Sequence, residues 1–206
     1  FVEEHLNKVV IAVVVVAVAI VAFQLISRNR RAAEAEAGAQ LAMATSALNQ
    51  GLRLQAMEQF QGVISSHPGS QSAGAAVCYL GVIHYHEGDY EQALARFDEY
   101  LRRYGGQSST LRKTALEGKA AILEQNRSFG EAAEAYIELA DFAAETNQPS
   151  AAAKSLSDAM RCYHSAGDWS GVAGVAGRIV EEHGDSRWAD MARVRLAEAE
   201  TYAQAP

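Results

Sequence analysis

The sequence predicts an all-α chain: an N-terminal transmembrane helix followed by a solenoid of helical hairpins that ends in a C-terminal capping helix. Three observations predict it. Residues 9–26 form one apolar run, VVIAVVVVAVAIVAFQLI. Beyond Arg31, apolar residues recur at three- and four-residue spacing with none of the sustained alternation that strands need. Four stretches of this second part also resemble one another.

The apolar run is 18 residues long with one polar member, Gln24, near its end. As a helix it spans about 27 Å, close to the hydrocarbon thickness of a bilayer. Valine is a poor helix former in water, but lipid offers backbone groups no other partners. A cleavable signal peptide would have a shorter apolar region with its cleavage site at the end. Here the A-x-A-like triplet, Ala17 to Ala19, lies in the middle of the run. A single membrane anchor over residues 1–31, flanks included, is therefore expected. No small-xxx-small pair marks tight self-association of the span, but Ala12, Ala19 and Ala22 form a loose stripe that is a candidate for packing on another helix.

Charge sets further bounds. The chain carries 18 basic and 25 acidic residues, a net charge of −7, which argues against a nucleic-acid partner. Glu3, Glu4, Lys8, Arg28, Arg30 and Arg31 precede residue 32, so residues 32–206 hold 14 basic and 23 acidic residues, net −9. Anionic headgroups repel such a domain, which is expected to stand off the membrane. Arg28, Arg30 and Arg31 after the span, against Lys8 before it, place the C-terminal domain in the cytoplasm by the positive-inside rule. The first residue is Phe1 rather than Met, so upstream residues are expected, and their charges bear on orientation. Cys78 and Cys162 show no CxxC or metal-ligand spacing; they are expected as buried apolar residues, and their pairing is left open.

Turn-forming clusters at Gln50-Gly51, His67-Pro68-Gly69, Glu87-Gly88-Asp89, Gly105-Gly106, Asn126-Arg127-Ser128, Asn147-Gln148-Pro149, Ala166-Gly167-Asp168 and Gly184-Asp185 cut the second part into helices of roughly 12–18 residues. The related stretches are GLRLQAMEQF at 51–60, GDYEQALARF at 88–97, RSFGEAAEAY at 127–136 and GDWSGVAGVA at 167–176. Their aligned positions are Gly51/Arg53/Ala56/Phe60, Gly88/Tyr90/Ala93/Phe97, Arg127/Phe129/Ala132/Tyr136 and Gly167/Trp169/Val172/Ala176. A turn residue that accepts the left-handed conformation ends one helix. A small residue then lets the second helix approach the first, and the last position fills the core.

This pattern resembles the tetratricopeptide repeat, a helix–turn–helix unit of about 34 residues. Leu80-Gly81, Gly88-Asp89-Tyr90, Ala93 and Phe97 match it best. Ala44, Gly51, Ala56, Phe60 and Pro68 form a first copy in register. In the later copies Arg127 replaces the turn glycine, and Val172 and Ala176 replace Ala and the aromatic. The repeats fall at about 37–70, 74–107, 113–146 and 153–186, within a domain of residues 32–206, and a helix over 187–203 is expected as a cap. One span followed by such repeats is similar to bacterial single-pass tetratricopeptide proteins typified by the ancillary subunit of the SecYEG translocon. The resemblance implies an inner-membrane location with periplasmic repeats, opposite to the placement that the arginines favour.

Tyr79 to Phe97 reads YLGVIHYHEGDYEQALARF and concentrates His84, His86, Glu87 and Asp89 in six positions. Two histidines two apart lie about 200° apart on a helix, so they do not face one metal. A zinc pair on a helix wants i,i+4 spacing. The cluster reads as a turn, with Asp89 as N-cap of the following helix and His84 directed into packing. Nucleophile-elbow, phosphate-loop and dinucleotide motifs are missing from the sequence, and no enzyme, cofactor or metal is expected.

The family resemblance implies binding through the first helix of each hairpin. Carried over by register, the positions are Leu41, Thr45 and Leu48; Cys78, Val82, Tyr85 and His86; Glu117, Ala121 and Glu124; and Ser157, Arg161 and His164. A clamp for C-terminal carboxylates needs several Lys, Arg and Asn there, whereas these positions offer Arg161 and little else, and Glu117 and Glu124 oppose an acidic tail. The expected function is a membrane-anchored scaffold, an accessory subunit of a larger inner-membrane assembly (translocase, respiratory or photosynthetic) whose partners are other protein subunits and, through residues 9–26, the bilayer. A chaperone that grips unfolded polypeptides at the membrane is the alternative.

Overall fold

A computed structural model describes the backbone of residues 2–203 and the side chains of residues 16–25 and 27–202. Regular structure among the described residues is entirely α-helical: α1 (Val2–Asn49), α2 (Arg53–Ser66), α3 (Gln71–Glu87), α4 (Tyr90–Tyr104), α5 (Ser109–Gln125), α6 (Phe129–Glu145), α7 (Pro149–Ala166), α8 (Trp169–Glu182) and α9 (Ala189–Ala203). The chain divides into two compact units, residues 1–76 and 77–206, with the boundary inside α3.

In the first unit, the C-terminal part of α1 pairs with α2. Ala37, Ala44 and Ala47 of α1 are buried, as are Ala56, Phe60 and Val63 of α2. Alanine at these positions allows close approach and costs no helix propensity. The same helix extends N-terminally without a break through a stretch exposed on all sides, where Val18 is 63% and Phe23 71% exposed. Among the described residues no helix is long and apolar enough to cross a membrane. Within the expected span of residues 9–26, the side chains of 9–15 and 26, Ala12 among them, lie outside the described residues. Ala19 and Ala22 lie in the exposed stretch.

One turn recurs along the chain. At Gly51 (φ 78°), Gly88 (φ 79°) and Gly167 (φ 74°), and also at Arg127 (φ 59°) and Asn147 (φ 56°), the backbone enters the left-handed region. At each, the residue's N–H and that of its successor close a paired bond onto the preceding helix, such as Gly88 N–H to Tyr85 O at 3.1 Å and Asp89 N–H to His84 O at 3.0 Å. This double closure satisfies carbonyls that a helix C-terminus leaves open. Asp89 and Asp168 then cap the next helices, accepting from Gln92 N (3.3 Å) and Gly171 N (2.9 Å).

The second unit is a solenoid of hairpins in which α4 packs on α5, α5 on α6, α6 on α7, α7 on α8 and α8 on α9. The repeat positions Ala93, Phe97, Ala132, Val172 and Ala176 are buried. Phe97 joins successive hairpins: its ring lies between Gly81 of α3 and Gly118 of α5, where neither glycine leaves room for a Cβ. Tyr100 and Tyr104 extend this core, fully buried with ring centroids 6.3 Å apart. Cys78 and Cys162 are free and buried.

Candidate protein-binding face

Of the positions carried over on α5 and α7, Glu124 and Arg161 come together in one bonded group. Arg161 of α7 forms a two-pronged pair with Glu124 of α5, Nη1 to Oε1 and Nη2 to Oε2, the latter at 3.1 Å. Tyr136 of α6 donates its hydroxyl to Glu124 Oε2 at 3.0 Å, so three helices meet at one carboxylate. Arg161 also reaches Asp158 (3.4 Å), which in turn takes Lys154 at 2.8 Å. The Arg161 hydrogen bond, helped by Tyr136 and opposed by burial, holds the Glu124 carboxyl below its usual range. Burial and the Glu124 charge push the Tyr136 phenol up, which keeps it a hydrogen-bond donor. The one cation among these carried-over positions, Arg161, is thus already paired.

Toward the N-terminal ends of α5 and α7 lies a pocket of about 270 Å³. Leu139, Phe142 and Ala143 of α6 form its apolar floor, and Lys113, Glu117 and Lys154 stand at its rim. Lys113 and Glu117 are 3.7 Å apart. Arg112 lies over the Phe142 ring at 4.9 Å and pairs with Glu145 at 3.2 Å, which holds the floor in place. A site of this size admits one bulky apolar side chain, with polar rim groups for the backbone that carries it. Sequence reasoning named Glu117 but missed Phe142, Lys113 and Lys154. Phe142 belongs to the second helix of its hairpin, and register transfer covers only the first.

On α3, Val82 and Tyr85 are half-buried and His86 is exposed. Tyr85 contacts the His86 and Tyr90 rings, with centroids at 5.7 and 5.8 Å. His84 is largely buried, and its Nδ1 lies 3.5 Å from Asp89 Oδ2 across the turn. Cys78 is corrected: at 1% exposure it is a core residue and not a groove contact. Its thiol points at the Leu111 carbonyl at 3.8 Å, under the start of α5, and burial raises its pKa to about 12. His164 is half-buried and faces the end of the solenoid: Arg195 Nη1 is 3.3 Å from its Nε2, and Trp169 meets its ring edge-on at 5.2 Å. In the first unit Leu41 and Leu48 are half-buried, and Thr45 donates its hydroxyl back to Leu41 O at 3.1 Å. Among the described residues no group of His, Cys, Asp and Glu is placed to hold a metal ion.

The profile of the family described as Tetratricopeptide repeat matches residues 41–108 and 88–152, more than half of the chain. The chain belongs to the tetratricopeptide repeat family. Members of this family bind other proteins and serve as interaction scaffolds without catalysis of their own. The fold is similar to that of a tetratricopeptide repeat protein from Parabacteroides merdae, with TM-score 0.56 and 16% identity over 81% of this chain and 60% of that one. The present chain thus matches about three-fifths of that protein's length. It is also similar to MamA, residue 41 to the end, from Desulfovibrio magneticus RS-1, with TM-score 0.52 and 15% identity over 82% and 89% of the two chains. At these identities the likeness is one of fold. No curated protein matches the chain.

Proposed function

We propose that this tetratricopeptide chain is a membrane-anchored scaffold, an accessory subunit of a larger inner-membrane assembly. One observation carries the reading: α1 runs unbroken from the exposed apolar stretch into the first hairpin, where its Ala37, Ala44 and Ala47 are core. Isoleucine, valine and phenylalanine exposed all round a helix are costly in water and favourable in lipid or against another apolar helix. The apolar residues 9–15 complete a run of spanning length. A helix that runs into the first hairpin without a flexible linker would keep that hairpin close to the bilayer. The face of α5 and α7 supplies the binding surface, with the pocket floored by Phe142 as its anchor point and Val82, Tyr85 and His86 as contacts on α3. The repeats are placed in the periplasm by analogy with single-pass family members.

Extraction tests the anchor and native mass spectrometry tests the assembly. The chain is expected to resist alkaline carbonate and to leave the membrane in mild detergent with partner subunits in fixed stoichiometry. A detergent-extracted monomer without a stable partner overturns the subunit reading. Protease added to intact spheroplasts is expected to remove the repeats; protection places them in the cytoplasm.

A further inference from the structure

The loop joining α2 to α3 folds back along α1. Residues 66–70 face Arg30, Ala33 and Glu34 across an open pocket of about 600 Å³. The charges lining it differ in what they already bind. Glu34 is engaged, accepting from Gln71 N (2.9 Å), Ser72 N (3.0 Å) and Ser72 Oγ (2.8 Å) at the positive N-terminal end of α3. Burial raises the Glu34 pKa, but these bonds and nearby His67 outweigh it, so the carboxyl stays below its usual range. Arg30 is exposed and makes no ion pair or hydrogen bond among the described residues. His67 lines the same pocket, while its Nε2 is buried inside the protein with no hydrogen-bond partner. Ser70 Oγ accepts from Ala73 N at 2.9 Å and keeps its own proton to give. Arg30 and Ser70 thus bring hydrogen-bond donors to this pocket.

Height along α1 fixes what meets them. Arg30 is four residues past Ile26, the end of the apolar run, which is about 6 Å along a helix axis. The headgroup layer adds roughly 5–8 Å to the hydrocarbon on each side of a bilayer. Guanidinium groups suit phosphate oxygens because two N–H bonds run in parallel. We propose that the pocket of Arg30, His67 and Ser70 binds the phosphate of an anionic membrane-lipid headgroup. The proposal rests on the reading of residues 9–26 as a membrane span.

The test uses the full chain. Flotation with phosphatidylcholine vesicles checks the anchor by itself. Native mass spectrometry of chain extracted from membranes containing phosphatidylglycerol then counts retained phospholipid in wild type, Arg30→Gln and Arg28→Gln. Arg28 carries the same charge on the same helix but does not line the pocket, and both side chains are exposed, so neither change threatens the fold. Wild type and Arg28→Gln are expected to keep one phosphatidylglycerol. Arg30→Gln is expected to lower its occupancy on the order of tenfold, the effect of losing one charge-assisted pair. Equal retention in all three chains overturns the site, as does equal loss in both variants, which marks diffuse attraction. Displacement of the lipid by inorganic phosphate assigns the pocket to a free anion and overturns the lipid reading. A chain that does not float removes the anchor and the headgroup site with it, whereas flotation without an Arg30 effect removes the site alone.

Discussion

The Phe97 joint makes the sharpest prediction about stability. A Cβ at Gly118 would stand 2.7 Å from Phe97 Cζ and closer still to Cε2; a Cβ at Gly81 would stand 2.7 Å from Cε1. The two glycines meet opposite edges of the ring, so a shift away from one drives it into the other. Gly118→Ala gains about 1 kcal/mol of helix propensity and pays about 1–3 kcal/mol for overpacking. The expected result is a net loss of roughly 0–2 kcal/mol. Gly174→Ala is the matched control, because that glycine lies inside α8 with nothing within 4 Å of its would-be Cβ. It is expected to gain about 1 kcal/mol and raise Tm by about 2–4 °C in a chain of this size. The gap between the two variants, followed by helical circular dichroism during thermal and urea unfolding, measures the clash alone. Adding Phe97→Leu should relieve Gly118→Ala, with a coupling of about 0.5–3 kcal/mol in the double-mutant cycle. If Gly118→Ala stabilises as much as Gly174→Ala, the ring is not clamped and the account of the joint fails.

Arg127 sits at φ 59° where its counterparts are glycine, so Arg127→Gly is expected to stabilise the chain by about 1 kcal/mol, read as a rise in Tm. A drop in Tm would show that the arginine side chain contributes more than its backbone strain costs. Arg161→Met removes the partner that holds Glu124 below its ordinary carboxyl pKa of 4.5. A lowered folded pKa stabilises fully above 4.5, and this contribution is lost as pH falls through the folded value. The variant should therefore trail wild type by about 0.5–1 kcal/mol at neutral pH, and the two urea midpoints should converge in acid; a deficit independent of pH would refute the pairing. Burial raises the Cys78 thiol to about 12 and the Cys162 thiol to about 11. Neither should take up iodoacetamide in mildly alkaline buffer until urea unfolds the chain, and rapid native labelling would contradict their burial.

The hairpins were legible because their determinants are local. A left-handed C-terminal turn, a capping aspartate one position on and a small residue four further on occupy fixed offsets, so Gly88, Asp89 and Ala93 could be read without tertiary knowledge. Arg127 was found by register alone, since no propensity marks an arginine as the turn residue. Gly118 was illegible: it sits inside α5, where local rules count a glycine only as a cost, and its reason is a ring supplied by another hairpin. The same distinction separates the site residues. Glu124 and Arg161 stand at register positions on the first helices of successive hairpins, and the structure joins them. Cys78 has a comparable register position, yet the start of the next hairpin covers it. The Phe142 pocket needed α5, α6 and α7 to be placed together before its floor and rim could be recognised. For α1 the sequence was more informative than a division into anchor and domain allowed. Residues 27–36, SRNRRAAEAE, contain no glycine or proline, and most are strong helix formers. Nothing there interrupts the helix, so the apolar stretch and the first repeat share one axis. The apolar run then ends about 16 Å of helix before the first buried alanine, Ala37.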